Sequence, residues 1–387
     1  MFDHCGLALC QQAHSFIMLP DRLAVIATAV LAVGINLKFS QYGVGLHTSE
    51  LTDYSRGNPF DASDHTPRRL MLSVLAPTAA VDECKVHTEP YMPSATAHEY
   101  DDLYSSFGIP NGPFESIKLP LCDRRPFPPL PYKESTIIFS PGLGNSRLIY
   151  TIMAAELASR GFTVITVDHP HDAIIVEYPD GSVARAANIS TDEQISSALE
   201  ARCRDILFII DRLYDRHARQ ELLVGRNSFT PPGVLVAGHS LGGAAAVMMA
   251  DDRILGGINL DGASHEPFIN GDIFHPFMLF GRANKTFESA PTWSEIWPHL
   301  RSTKVALSLE GSKHGTFTDF PLLAEDLSLS VEGLSDVLGS IGGHRALDVI
   351  LAWMGSLFAH AAAERRSPIP NRSEGPFPEI SVLALEL

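Results

Sequence analysis

Cysteine and basic side chains are both scarce in this sequence, and each scarcity argues against a class of protein. The 387 residues include five cysteines, none at a spacing typical of metal ligands. Lysine and arginine number 29 against 45 aspartate and glutamate residues, so the formal net charge is -16. A surface of this sign repels the phosphates of nucleic acids. We therefore expect no metal, no organic cofactor and no nucleic-acid partner.

The sequence also lacks an apolar run long enough to span a membrane comfortably. Residues 23–37 form an apolar segment of 15 residues, whereas a spanning helix needs about 20. Its length is closer to that of a signal-peptide core, although the leader before it is long and not clearly basic. Residues 1–38 are therefore predicted to be a signal peptide or an N-terminal apolar segment, with an interfacial helix as the alternative. The expected location is the secretory pathway, with the cytoplasm as the alternative.

Two of the cysteines leave a redox question open. Cys84 and Cys122 flank a loop-like segment, and they can form a disulfide if the chain is secreted. In a reducing compartment they are two unpaired, buried thiols. The sequence favours neither interpretation over the other.

Short apolar runs alternate with helical patterns along most of the chain. This alternation predicts an α/β-hydrolase fold, in which a mostly parallel central sheet carries helices on both faces. We assign residues 39–363 to one catalytic domain and residues 76–132 within it to an irregular excursion over the sheet. Residues 364–387, rich in proline, serine and arginine, are predicted to be a disordered tail. The predicted strands are 70–75, 136–140, 162–167, 234–237, 257–260, 276–280 and 305–309, and the predicted helices are 148–160 and 192–223.

The most informative motif surrounds Ser240. Apolar residues lead directly into Gly238-His-Ser-Leu-Gly242, and a run of small residues follows. Strand, sharp turn and helix with a serine at the apex is the nucleophile elbow. Glycine is needed on both sides because larger side chains would collide with the neighbouring strand and helix. Ser240 is the candidate nucleophile; a plain glycine-rich turn is the alternative.

A serine hydroxyl needs a base to take its proton and a carboxylate to orient that base. In parallel-sheet hydrolases the acid and then the histidine follow the serine, each after a strand. Asp261 directly follows the predicted strand 257–260, whereas Glu266 and Asp272 lie in the loop beyond it. Asp261 is therefore the candidate acid, and a capping role for it is the alternative.

The candidate base is chosen by position, because the chain has 16 histidines. His314 follows the predicted strand 305–309 through a short polar turn. His299 precedes that strand, His275 enters a strand and His344 lies in a predicted helix. His314 is therefore the candidate general base.

A serine hydrolase also needs two hydrogen-bond donors for the oxyanion. The backbone N–H of Leu241, directly after the serine, is one candidate. The other is the N–H of Leu143, because Gly142 and Gly144 flank it in the loop after strand 136–140. An ordinary turn is the alternative interpretation of this loop.

Several segments together resemble platelet-activating-factor acetylhydrolases of the secreted, α/β-hydrolase type. The likeness extends over residues 40 to 360, and its histidine segment is the most specific part. The resemblance implies a calcium-independent serine esterase that cleaves short or oxidised acyl groups from phospholipids. It also implies Ser240, Asp261 and His314 as the catalytic triad and Leu143 and Leu241 as the oxyanion donors. The segments are Phe139-Ser-Pro-Gly-Leu-Gly144, residues 157–170, Gly238-His-Ser-Leu-Gly-Gly243, Gly257-Ile-Asn-Leu-Asp261 and Gly311-Ser-Lys-His314-Gly-Thr-Phe-Thr-Asp319-Phe320.

The chain departs from the animal members of this family at two places and is closer to a fungal type of relative. Pro141 stands where the animal enzymes have histidine, and residues 76–132 do not align with the region that shapes their acyl pocket. A small-molecule or lipid ester is the expected substrate, and a membrane surface is a further candidate partner. The alternatives are a cutinase-like esterase, an acyl-transferring or ring-forming enzyme acting on a secondary metabolite, and a lipid-binding protein without activity.

Overall fold

The fold is organised around one sheet of nine strands. The computed structural model describes residues 33–35, 37, 39–61, 65–106, 109, 113–123, 135–223, 233–263, 271–362 and 377–387. The strands are β1 (Val33–Gly34), β2 (Tyr42–Asp53), β3 (Arg68–Ala80), β4 (Val86–Pro90), β5 (Ile117–Cys122), β6 (Ser135–Ser140), β7 (Thr163–Asp168), β8 (Ile175–Glu177), β9 (Val183–Arg185), β10 (Gly233–His239), β11 (Ile254–Leu260), β12 (Phe277–Arg282), β13 (Lys304–Leu309) and β14 (Ile380–Glu386).

The helices cover both faces of this sheet, because residues alternating along β6 and β10 pack into two different apolar clusters. One cluster includes α2 and α9, and the other includes α3 and α5. The helices are α1 (Ser94–Ser105), α2 (Thr151–Ala158), α3 (Asp192–Tyr214), α4 (Arg216–Leu222), α5 (Leu241–Val247), α6 (Pro291–Ile296), α7 (Phe320–Asp326), α8 (Ser335–Leu338) and α9 (Gly343–Ala362). The predicted α/β class is therefore confirmed.

The strand order of the large sheet is β14-β13-β12-β11-β10-β6-β7-β3-β2. The six strands from β13 to β7 are parallel to their neighbours, whereas β14, β3 and β2 run antiparallel. All seven predicted strands are present, with ends shifted by a few residues. Because parallel strands end at one edge, the loops after β6, β10, β11 and β13 meet there.

The prediction that residues 76–132 form an irregular excursion is wrong. Strand β3 extends into this segment, helix α1 follows, and β5 pairs with β4 and β1 in a separate three-stranded sheet. Alternate residues of β5 are buried, which is the period of a half-covered strand. Proline and serine in the flanking sequence hide this short period, and residues 107, 108, 110–112 and 124–132 lie outside the described ranges.

A disulfide bond links the segment just before β4 to the end of β5 in the small sheet. Cys84, just before β4, and Cys122, at the end of β5, form a disulfide with their Cα atoms 5.4 Å apart. This resolves the choice that the sequence left open in favour of the bonded pair.

The predicted boundaries at both ends need correction. Residues 377–387 are ordered, and β14 pairs with β13 along its whole length, although the preceding proline-rich composition suggested disorder. Residues 363–376 lie outside the described ranges. At the other end β1 pairs with β5, and Ile35 is buried, so the domain begins before residue 39; residues 1–32 are outside the described part.

The predicted helix 192–223 is divided in two. Helix α3 begins with a capping box formed by Thr191 and Gln194. At Asp215 the backbone is extended, and the carboxylate accepts a hydrogen bond from the Ala218 N–H at the start of α4. An aspartate at this position starts a new helix, which the continuous apolar spacing does not reveal. No helix within the described ranges is both long and apolar enough to cross a bilayer.

Candidate active site

Ser240 lies in a strained turn between β10 and α5. Its backbone has φ 55° and ψ -123°, a conformation that costs energy for any residue with a Cβ. The residue is partly exposed, and its side chain makes no capping hydrogen bond to the helix that follows. The turn therefore presents the hydroxyl above the sheet instead of using it to begin the helix.

The glycines on either side of Ser240 allow this turn to form. A Cβ on Gly238 would lie 2.3 Å from the backbone of Gly242, and a Cβ on Gly242 would lie 2.0 Å from the Ser140 carbonyl oxygen. Both contacts involve backbone, which cannot move aside. The steric argument drawn from the sequence motif therefore applies at both positions.

Asp261 follows β11 on a second strained turn, with φ 53°. The Asn259 side-chain oxygen accepts a hydrogen bond from the Gly262 N–H at 2.6 Å, and the side-chain amide N–H donates one to the Gly262 carbonyl oxygen at 3.3 Å. Gly262 is itself close to the serine, because a Cβ there would lie 2.4 Å from the Ser240 carbonyl oxygen. The side chain of Asn259 thus fixes the turn that carries Asp261 at the end of the strand beside the serine.

The Asp261 carboxylate is fully buried between two cationic side chains and the imidazole of His314. Arg282 Nη1 lies 2.9 Å from it, Lys285 Nζ lies 3.0 Å away, and His314 Nδ1 lies 2.5 Å away. Although burial alone would raise its pKa, Lys285, His314 and Arg282 together hold that pKa well below the usual range of an aspartate. The group is therefore a carboxylate at neutral pH.

His314 begins a short 3-10 segment, His314–Phe317, after the turn that follows β13. A carboxylate only accepts hydrogen bonds, so the bond to Asp261 assigns the proton to Nδ1 and leaves Nε2 as the basic nitrogen. The imidazole lies against the ring of His239, the residue before the serine, with a centroid distance of 4.5 Å. The structure thus brings Ser240, Asp261 and His314 to one edge of the sheet.

The loop after β6 lies beside Ser240. A Cβ on Gly142 would be 3.3 Å from the Ser240 Cβ. The N–H of Gly142 donates to the Tyr150 hydroxyl, and the N–H of Gly144 donates to the Asp172 carbonyl oxygen. Over the described ranges, the N–H groups of Leu143 and Leu241 donate to no protein acceptor. These two donors remain for a ligand.

The competing acid and bases lie elsewhere. Asp272 binds His299 and Arg301, and His344 lies 2.6 Å from Asp326. Burial lowers the pKa of His275 to about 4. Glu266 lies outside the described residues.

A second serine, histidine and aspartate meet beneath the same loop, and the sequence analysis missed them. Ser140 Oγ lies 2.9 Å from His169 Nε2, and His169 Nδ1 lies 2.8 Å from Asp205 Oδ2. The three side chains are buried, with at most 1% of each residue exposed. No ester can reach this hydroxyl, so we interpret the cluster as support for the loop above it.

Arg202 connects the buried cluster to that loop. Its guanidinium donates to Ser140 Oγ and to the carbonyl oxygens of Pro141 and Gly142, and it is paired with Asp172. The side chain is 1% exposed, so losing Asp172 would leave the guanidinium charge unpaired in the interior. The signals in the sequence were Asp168-His-Pro directly after a strand and an arginine on the inner face of a predicted helix.

The sheet, its helices and the serine turn define the class: this chain is an α/β-hydrolase. A solved structure of a ferulic acid esterase from Streptomyces cinnamoneus has a TM-score of 0.72 and 27% sequence identity, covering 91% of this chain and 100% of that one. The family described as "Platelet-activating factor acetylhydrolase, isoform II" matches residues 109–198.

Curated relatives indicate the same class of enzyme. A "Probable 1-alkyl-2-acetylglycerophosphocholine esterase" from Arthroderma benhamiae is 25% identical over 86% of this chain and 89% of the relative. A platelet-activating factor acetylhydrolase from Cavia porcellus is 27% identical over 56% of this chain and 55% of the relative. The chain is a serine esterase that resembles platelet-activating factor acetylhydrolase, and the resemblance inferred from sequence motifs is confirmed.

Proposed function

We propose that this enzyme cleaves short or oxidised acyl groups from phospholipids, with Ser240 as nucleophile, His314 as general base and Asp261 as its orienting acid. The observation that carries the assignment is the pairing of His314 Nδ1 with the buried Asp261 carboxylate at 2.5 Å. That pairing leaves Nε2 as the basic nitrogen of a ring that lies against His239, the residue that precedes Ser240.

The proposed reaction proceeds through an acyl-enzyme. Ser240 Oγ attacks the acyl carbon while His314 Nε2 takes the hydroxyl proton. The carbonyl oxygen becomes an oxyanion that accepts hydrogen bonds from the Leu143 and Leu241 N–H groups. His314 then returns the proton to the leaving alcohol oxygen, and a water repeats the sequence at the acyl-enzyme to release the acid and restore Ser240.

The substrate class is supported by a relative that matches this chain over most of its length. The Arthroderma benhamiae protein is matched over 89% of its length and carries the name of an esterase of an acetylated ether phospholipid. Phospholipids with a short acyl chain are therefore the first candidate substrates. Because such substrates are lipids, transient association with a lipid surface is part of the proposal.

A second candidate is an esterase of soluble aromatic or aliphatic esters. It is favoured by the ferulic acid esterase, which is similar over nearly the whole chain. Acyl transfer to a second metabolite uses the same first half-reaction, and it differs only in the group that receives the acyl chain.

The test is a burst experiment followed by a substrate panel. The wild-type enzyme should release p-nitrophenol from p-nitrophenyl acetate with an initial burst of about one equivalent, and Ser240→Ala should show neither burst nor turnover. Equal turnover by both proteins would contradict the assignment of Ser240. The panel compares acetyl, butyryl and long-chain phospholipids with feruloyl and simple aliphatic esters by kcat/KM. A preference for feruloyl esters would favour the second candidate.

We further propose that the enzyme works in an oxidising compartment, such as the secretory pathway or the cell exterior. The disulfide between Cys84 and Cys122 supports this, because such bonds persist mainly outside reducing compartments. Determining the N-terminal sequence of the natural protein tests it, since removal of a leader before residue 33 is expected.

A further inference from the structure

The Tyr150 hydroxyl lies between the two elements that must meet at the proposed active site. It accepts hydrogen bonds from the Gly142 N–H at 3.0 Å and from the Asn145 side-chain amide at 3.2 Å. It also lies 2.8 Å from His239 Nδ1. Gly142 adjoins the Leu143 donor, and His239 adjoins Ser240. One oxygen atom therefore joins the oxyanion loop to the nucleophile strand.

The direction of each hydrogen bond follows from the chemistry of the groups. A tyrosine hydroxyl has one proton and two lone pairs. The two N–H donors occupy both lone pairs, so the proton is donated to His239 Nδ1. His239 then carries its own proton on Nε2, which is buried.

His239 can accept this proton only while it is neutral. Burial is the main reason that its pKa lies well below the usual histidine value, and the neighbouring His314 lowers it further. A hydrogen bond with the His314 backbone and the charge of Asp261 raise this pKa without outweighing burial, and the two imidazoles are 4.5 Å apart. A protonated His239 would turn a donor towards the Tyr150 hydroxyl and break the chain of hydrogen bonds.

We propose that Tyr150 is a positioning residue for ester hydrolysis, and that its bonds to Gly142 and His239 fix the Leu143 N–H at the distance from Ser240 that the oxyanion requires. This inference rests on the proposed function, because it presupposes that Leu143 is an oxyanion donor. The geometry of such a donor matters steeply, since losing one typically lowers kcat by about 10²- to 10³-fold.

The test compares two tyrosines that undergo the same chemical change. Tyr150→Phe removes the joining hydroxyl. Tyr100→Phe is the matched control, because the Tyr100 hydroxyl is equally buried and accepts the Ser146 N–H of the same loop at 2.9 Å. We expect similar decreases in Tm for both variants. Only Tyr150→Phe should lower kcat, by about 10-fold or more, with KM changed by less than about threefold.

A transition-state analogue separates positioning from general damage. A trifluoromethyl ketone forms a hemiketal with the serine and places an oxyanion in the donor site. Its inhibition constant for Tyr150→Phe should rise by the factor by which kcat/KM falls, whereas a non-covalent substrate analogue should bind unchanged. His239→Gln interrupts the same chain from the other side, and it provides the test if Tyr150→Phe fails to fold. The double variant Tyr150→Phe/His239→Gln should lose no more activity than the less active of the two single variants.

Two outcomes contradict the inference. Either equal kcat values for Tyr150→Phe and Tyr100→Phe, or independent and multiplicative losses in the double variant, would exclude a positioning role for Tyr150. Ser240→Ala is measured alongside these variants. If Ser240→Ala is inactive while Tyr150→Phe matches its control, only the inference fails; if Ser240→Ala is active, the proposed function fails.

Discussion

Ser140, the last residue of β6, and His169 form a hydrogen bond of 2.9 Å in the interior of the protein. With Asp205 they reproduce the residue types and the bonding order of a catalytic triad. What distinguishes them from Ser240, Asp261 and His314 is access, because Ser140 is completely buried whereas Ser240 is partly exposed. Residue types and hydrogen bonds alone therefore do not identify a reactive serine.

Covalent labelling should separate the two serines. We expect a fluorophosphonate to modify wild-type enzyme and Ser140→Ala at one site each, and to leave Ser240→Ala unmodified, because only the Ser240 hydroxyl is accessible. Peptide mass spectrometry locates the adduct. Labelling of Ser240→Ala at Ser140 would show that the buried cluster opens to solvent and reacts.

The proposed base and acid should behave as one unit. His314→Ala is expected to lower kcat by about 10⁴-fold or more, and Asp261→Asn by about 10⁴-fold, because each leaves the serine without a correctly oriented base. The double variant should be little worse than the poorer single variant. Steady-state hydrolysis of p-nitrophenyl acetate provides the measurement.

His344→Ala is the matched control for this pair. His344 also lies 2.6 Å from an aspartate, Asp326, but away from the serine turn. Its removal should leave kcat within about twofold of wild type. A large loss in His344→Ala, or near-normal activity in His314→Ala, would reassign the base.

Asp205 should make the protein sensitive to acid. Burial alone would raise its pKa, but the charge of Arg68 and the bonds from His169 and Arg68 outweigh burial and lower it. A depressed pKa means that the carboxylate stabilises the fold fully above its unfolded value near 4, and that this stabilisation is lost as the pH falls towards the folded-state pKa. Asp205→Asn leaves Arg68 and Arg56 without the carboxylate that pairs with both of them, at a cost of about 3–5 kcal/mol at pH 7.

Urea unfolding at pH 7, 5 and 3.5 tests this expectation. The difference in unfolding free energy between wild type and Asp205→Asn should shrink towards the lowest pH, because the Asp205 carboxylate of the unfolded chain becomes protonated there while that of the folded protein remains charged. Asp272→Asn is the control, since Asp272 pairs with His299 and Arg301 at the surface, and its effect should be much smaller. A pH-independent difference for Asp205→Asn would contradict the argument.

The disulfide should contribute to stability without being required for the chemistry. Cys84 and Cys122 are 38 residues apart in sequence, and the loop-entropy relation assigns a cross-link of this span about 4 kcal/mol. Replacing both cysteines by serine should lower the free energy of unfolding by about 2–4 kcal/mol, with kcat/KM at 25 °C within about threefold of wild type. Non-reducing peptide mapping must find the bond in the wild-type protein; two free thiols there would refute it.

The sequence predicted best those features that depend on neighbouring residues. Glycines around Ser240 and the apolar runs before Ser240, Asp261 and His314 indicated strands that end in turns, and the structure has strands and turns there. The same local reasoning failed for residues 76–132 and 364–387, where proline and serine composition obscured short strands. Strands β5 and β14 depend on pairing with β4 and β13, respectively. Pairing between distant segments cannot be predicted from the residues of one segment alone.

The order of residues along the chain determined the fold class, the elbow at Ser240 and the candidates that follow it, because each of these depends on strand, turn and helix signals within about 15 residues. The tertiary structure decided the surroundings of those candidates: the cations around Asp261, the accessibility that separates Ser240 from Ser140, and the position of the Tyr150 hydroxyl between the loop after β6 and strand β10. These contacts join segments far apart in sequence, and burial changes the charge and reactivity of each group only once the chain has folded around it.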